Sequence, residues 1–149
     1  MINRRMIVGI VAGALTLLSS AAVPAENKSH RLALQISDNA PDKMHAVLNV
    51  AANVSRYYAD RGEEVEIEIV AFNAGMHMLR DDTSPVKERI AGFRKSMMNV
   101  SFKACKNTMD AMAKNEGKPV VLIPQIDIVE AGVTRLIELS ESGWTIVRP

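Results

Sequence analysis

Val100-Ser101-Phe102-Lys103-Ala104-Cys105-Lys106-Asn107-Thr108-Met109-Asp110-Ala111-Met112 changes its repeat halfway along. Val100, Phe102 and Ala104 alternate with Ser101 and Lys103, the repeat of a strand. Met109, Met112 and Ala113 follow at i, i+3 and i+4, the spacing of a helix face. Asn107 reads as the N-cap, and Asp110 suits the positive end of the helix dipole. Cys105, the single cysteine in 149 residues, therefore falls where a strand ends and a helix begins. Unpaired backbone N–H groups and the dipole at such a place favour the thiolate, the nucleophilic form. Lys103 and Lys106 add positive charge nearby. The same position also suits an inert role, because free cysteine is among the most buried residue types.

Strand and helix patterns alternate outward from this junction in both directions. Residues 31–37 place Leu32, Leu34 and Ile36 on one face, and residues 42–61 carry Met44, Val47, Leu48, Ala51, Val54 and Tyr58 on one helical stripe. Residues 64–72 form a second strand, with Glu64, Glu66 and Glu68 as a row that suits the wet face of an edge strand. Residues 73–79 read as a loop or short helix. Residues 86–98 form an amphipathic helix with Val86, Ile90, Phe93 and Met97 inward. Beyond the cysteine, the apolar run 120–123 predicts a strand buried on both faces. Residues 128–141 predict a last helix with Val129, Val133, Leu136 and Ile137 inward, and 144–147 a final strand. Five strands alternating with helices imply a mainly parallel sheet covered on both faces. Ligands bind beyond the carboxyl ends of such strands. Four loops are expected there: 37–39, 73–77, 104–107 and 124–127.

Residues 1–25 stand apart as a predicted secretory signal peptide. Arg4 and Arg5 form a basic start, residues 6–18 are mostly apolar, and Val23-Pro24-Ala25 resembles an A-x-A cleavage site. Removing 25 of the 149 residues leaves 124, one domain spanning 26–149. It also removes two arginines, so 16 basic residues face 17 acidic ones. That balance suits neither nucleic acid nor a membrane surface. The expected location is the periplasm. A lone cysteine in an exported chain points to a reactive thiol or an intermolecular pair.

No Gly-rich dinucleotide fingerprint, Walker motif or nucleophile elbow appears, so no cofactor is expected. His77 lies on the predicted loop edge with Cys105, either as its base or orienter or as a solvated loop histidine. Met76, His77 and Met78 with Cys105 also make a soft donor set of the kind that suits Cu(I), against the ordinary use of methionine in cores.

The ordered motifs of the chain resemble the DsrE/DsrF-like family. The resemblance rests on Ala74-Gly75-Met76-His77-Met78-Leu79, on residues 100–109, and on Val129-Glu130-Ala131-Gly132-Val133 with Leu136, Leu139, Gly143-Trp144 and Pro149. Asn99 and Lys106 depart from it, standing where many members have glycine. The resemblance implies a flavodoxin-like three-layer α/β fold and a homo-oligomer, trimeric or hexameric. It also implies that Cys105 matches the persulfide-carrying cysteine of sulfur-relay members. The expected function is therefore a periplasmic protein that accepts and passes sulfane sulfur on Cys105, with a thiol or persulfide partner. Asn73, Gly75, His77, Lys106 and Asn107 are the expected binding residues around it. Two other readings stay open: a non-catalytic module for a small ligand or soft metal, and a structural oligomer with an inert cysteine.

Overall fold

A computed structural model describes residues 29–149, so the predicted signal peptide lies outside the described residues. The elements are β1 (Ser29–Ile36), α1 (Pro41–Ala59), β2 (Glu64–Ala71), a 3₁₀ turn (Asn73–Met78), α2 (Lys87–Ser96), β3 (Val100–Cys105), α3 (Lys106–Glu116), β4 (Asp127–Val129), α4 (Gly132–Glu141) and β5 (Thr145–Val147). The strands form one sheet in the order β4-β3-β2-β1-β5, and every pairing is parallel. Parallel crossovers are right-handed. The three successive steps from β1 to β4 therefore put α1, α2 and α3 on one face, and the return from β4 to β5 puts α4 on the other. The fold is flavodoxin-like three-layer α/β, as the resemblance implies, and its sheet is parallel and covered on both faces, as the alternation of patterns implies. No helix among the described residues is long and apolar enough to cross a membrane.

The two faces are covered unequally. The larger core packs Leu34, Ile36, Ile67, Ile69 and Phe102 of the sheet against Met44, Val47, Leu48 and Ala51 of α1 and Ile90 and Phe93 of α2. Burying each such side chain contributes roughly 1.5–3 kcal/mol. The smaller core under α4 has four buried residues, Ala33, Val70, Leu136 and Leu139. One ten-residue helix covers only part of a five-stranded sheet. That explains the glutamate row: β2 is the central strand, not an edge, and its α4-side face is open at one end. Glu64 and Glu66 are exposed there. Glu68 is 3% exposed and meets Arg135 of α4.

The sequence expectation fails between residues 118 and 133. Residues 120–123 do not join the sheet, and Val121 is 61% exposed. Leu122 makes one isolated antiparallel bridge to Arg80. Pro119 and Pro124 bracket this run, and proline donates nothing to a ladder. The fourth strand is instead Asp127–Val129, so α4 starts at Gly132 and not at residue 128. Val129 therefore lies in a strand. Val133 and Ile137 point outward, at 54% and 52% exposure, and Leu136 and Leu139 point inward.

Arg80 is 1% exposed and binds two carboxylates. Its guanidinium reaches Glu116 at the end of α3 at 2.5 and 2.8 Å, and Asp82 at 2.8 and 2.9 Å. Bonding to Arg80 holds both carboxyls below their usual range, against the opposing effect of burial. Carboxyls lowered in the folded state add stability above their unfolded pKa, near 4, and that stability is lost as pH falls. Thermal melting of the protein should therefore drop on going from pH 6 to pH 3. Arg80→Met should melt lower at pH 6 and lose less over the same interval. Parallel pH curves for the two proteins would contradict this.

Candidate functional site around Cys105

The site is built where β3 passes directly into α3. Cys105 is the last residue of the strand and occupies the N-cap position of the helix, with extended φ −76° and ψ 114°. Asn107, expected as the N-cap, is instead the second residue of the helix. Its N–H donates to the Glu130 carbonyl at 3.2 Å, which ties the start of α3 to the loop between β4 and α4. That loop is the one beside the cysteine. Residues 124–127, expected at this edge, precede β4 and sit at the opposite, amino edge of the sheet.

Cys105 is 5% exposed and lies at an open groove of about 450 Å³. Phe72, Met112 and Val133 give the groove apolar walls, and Asn73, Asn107, Thr108 and Asn115 give it neutral polar ones. No Asp, Glu, Lys, Arg or His is among the lining residues. Asn73 adopts the left-handed region at φ 48° and donates its N–H to Thr108 Oγ1 at 3.0 Å. With that lone pair used, the Thr108 hydroxyl proton is free to turn to the sulfur.

Burial alone would raise the pKa of this thiol. Hydrogen bonding from the Thr108 hydroxyl and from the backbone N–H groups of Gly132, Thr108 and Asn107, the last shared with the Glu130 carbonyl, opposes burial, and the thiol lies below its ordinary value. Gly132 is the first residue of α4, while Asn107 and Thr108 are in the first turn of α3. The amino ends of two helices thus converge on one sulfur atom, and both dipoles favour negative charge there. Contacts to sulfur are weaker one by one than contacts to oxygen. Their effect comes from having four of one sign in a partly dry place.

The structure separates the sequence-predicted binding residues into two sets. Asn73 and Asn107 line the groove with Cys105. Gly75, His77 and Lys106 do not. Gly75 is buried, and a Cβ there would lie 2.2 Å from the Ile36 carbonyl oxygen. Its role is to let the 3₁₀ turn pass over the end of β1. The His77 ring pairs with Thr83 Oγ1 at 2.9 Å, so it is neither base nor orienter for the thiol in this structure. Lys106 turns along its own helix to Asp110, and that pairing raises its pKa. Lys103 pairs with Asp127 at 2.6 Å. The activating charge expected from the lysines comes instead from backbone amides. Met76 and Met78 are fully buried in the larger core, so the Met76-His77-Met78 run does not present its sulfurs beside Cys105. Among the described residues no three His, Cys, Asp or Glu side chains are grouped to hold a metal. From the loop 37–39, Ser37 and Asp38 line a separate cleft with Arg148 and Pro149.

Thr108 and Gly132 lie against the cysteine, and the sequence reading did not name them as site residues. Thr108 carried a usable signal, since it lies on the first turn after the cysteine. Gly132 is 27 positions along the chain and reaches the sulfur only through the crossover to the far face.

No family model and no curated protein matches the chain. Among solved structures, a protein of unknown function from Methanobacterium thermoautotrophicum is similar, with 26% identity and a TM-score of 0.69. The match covers 80% of this chain and 99% of that one. The likeness supports the fold of the described domain.

Proposed function

We propose that the chain is an exported DsrE/DsrF-like protein that carries sulfane sulfur on Cys105. The observation that supports this most is the thiol itself: favoured as thiolate by two helix ends, on a groove without an Asp, Glu, Lys, Arg or His side chain. Such a site has a nucleophile and no general acid. Cleaving an amide or ester would need a proton for the leaving group. Sulfur exchange does not, because a hydrosulfide or short polysulfide leaves as a stable anion, and low-pKa sulfur leaves fastest. In the step proposed, the Cys105 thiolate attacks one sulfur of neutral HS–SH, giving Sγ–SH. The Sγ–S bond forms, the S–S bond breaks, and HS⁻ departs, so charge and atoms balance without an oxidant. The chain has no second cysteine to resolve the persulfide as an internal disulfide. The sulfur therefore waits for a partner thiol, and the protein acts as a carrier.

Export rests on residues 1–25 and places the carrier in the periplasm. Assembly into a trimer or hexamer is part of the same proposal, and Val133 and Ile137, exposed one turn apart on α4, are available to it. Light scattering of the 26–149 chain should give a mass of at least three chains. A clean monomer at micromolar concentration would contradict the assembly.

The carrier reading is tested by intact mass after exposure to polysulfide. One sulfur, about 32 Da, should add per folded chain and be removed by a thiol reductant, as for other persulfide caps. No uptake until the protein is unfolded would leave Cys105 as a buried structural residue.

A further inference from the structure

We propose that the Glu68–Arg135 ion pair is a positioning device for Cys105: it fixes the first turn of α4 on the sheet, so that the amino end of α4 at Gly132 stays beside the thiol in their shared groove. The inference rests on the carrier reading above. Glu68 sits on the central strand at 3% exposure, in the part of the sheet that α4 covers. Arg135 grips it with two bonds, Nε to Oε1 at 2.7 Å and Nη2 to Oε2 at 2.9 Å. Glu138 on the same helix adds a longer contact to Arg135 at 3.6 Å. Burying a carboxylate is costly, and an apolar pair of similar volume commonly serves stability as well or better. Stability alone thus does not account for an ion pair here.

Orientation does. The apolar hold of α4 on the sheet is thin, with Leu136 and Leu139 its only buried apolar side chains. Two leucines bind a helix to a sheet but specify its rotation and axial position loosely. A two-pronged guanidinium–carboxylate bond specifies both. Arg135 lies one turn from Gly132, and Gly132 rests on Phe72, where an added Cβ would meet the Phe72 Cβ at 3.0 Å. Phe72, the first residue after β2, follows Glu68 by four residues and continues the same side of the extended chain, a rise of roughly 13 Å. The first turn of α4 is therefore held at two separated points along one extended stretch. At the Phe72 end, Gly132 lines the same groove as Cys105.

The test compares the protein with a Glu68→Leu/Arg135→Met double variant, reading thermal melting and the pH midpoint of iodoacetamide alkylation at Cys105. The expected result is a melting temperature near or above that of the parent, with the midpoint moved toward the ordinary thiol value by about half to one pH unit, as loosening one of the donors implies. A folded double variant with an unmoved midpoint overturns the proposal. If the double variant does not fold, Arg135→Lys decides by the same readout. Lysine keeps the charge and loses the fork, so an unmoved midpoint there overturns the proposal equally. Failure of the carrier reading looks different: the parent protein would then take up no sulfur. An unmoved midpoint with intact sulfur uptake removes only the positioning role.

Discussion

Gly75→Ala is expected to lower the melting temperature by more than about 10 °C, one of the largest effects of a single methyl anywhere in this chain. The new Cβ would lie 2.2 Å from the Ile36 carbonyl oxygen, 2.6 Å from its carbon and 2.9 Å from the Ser37 Cα. All three are backbone atoms, so no side chain can rotate out of the way. Ile36 and the turn that carries Met76 and Met78 are both in the larger core, so neither side yields without opening it. Overpacking typically costs 1–3 kcal/mol, and a clash with backbone belongs at about the upper end. For a domain of this size, ~3 kcal/mol corresponds to roughly 10 °C or more. Differential scanning calorimetry on the two proteins checks it. A shift of only a degree or two would show that the turn does not press on β1.

Cys105→Ser is expected to abolish the polysulfide adduct entirely while changing the fold little. The replacement is slightly smaller and still finds donors around it, because Thr108, Asn107 and Gly132 all face the position. Loss of stability should be about 1 kcal/mol, the ordinary cost of a small core change. His77→Ala, by contrast, should leave sulfur uptake unchanged, since its ring is engaged with Thr83 and not with the groove. Uptake by the Cys105→Ser protein, measured by intact mass, would place the chemistry elsewhere. Loss of uptake in His77→Ala would restore the histidine as a partner of the thiol.

Much of the fold was legible in the sequence because its elements have clean periods. The Leu32-Leu34-Ile36 alternation, the Met44-to-Tyr58 stripe and the switch of period at Cys105 each report one face of one element. The stretch 118–133 was not legible for a physical reason. Its most apolar run, 120–123, is set between prolines and packs as a loop, with the Ile123 N–H donating to the Leu79 carbonyl at 2.9 Å. The true edge strand, Asp127-Ile128-Val129, is short and has Ile128 at 54% exposure, so it carries little periodic signal. The error then moved the start of α4 and hid Gly132 inside an imagined helix. At the site, Cys105 was legible because strand-to-helix junctions are local. The donors from α4 were not, because their approach depends on which face of the sheet the last crossover takes. Nor could Glu68 be told from Glu64 and Glu66 by spacing. Only the reach of a single covering helix distinguishes the buried carboxylate from the two wet ones.

The most direct measurement is the alkylation rate of Cys105 as a function of pH in the folded protein. Cysteines at helix amino ends and near positive charge have pKa values of roughly 3.5–7.5, against about 8.5 for a free thiol. A lowered folded pKa also means that ionised Cys105 adds stability above the unfolded pKa, and that this contribution is lost as pH falls through the folded one. The rate should therefore reach half its plateau at a lower pH in the native protein than after unfolding in guanidinium, where a free thiol titrates near about pH 8.5. A native midpoint at or above 8.5, or a thiol that reacts only once the protein is unfolded, would contradict the account.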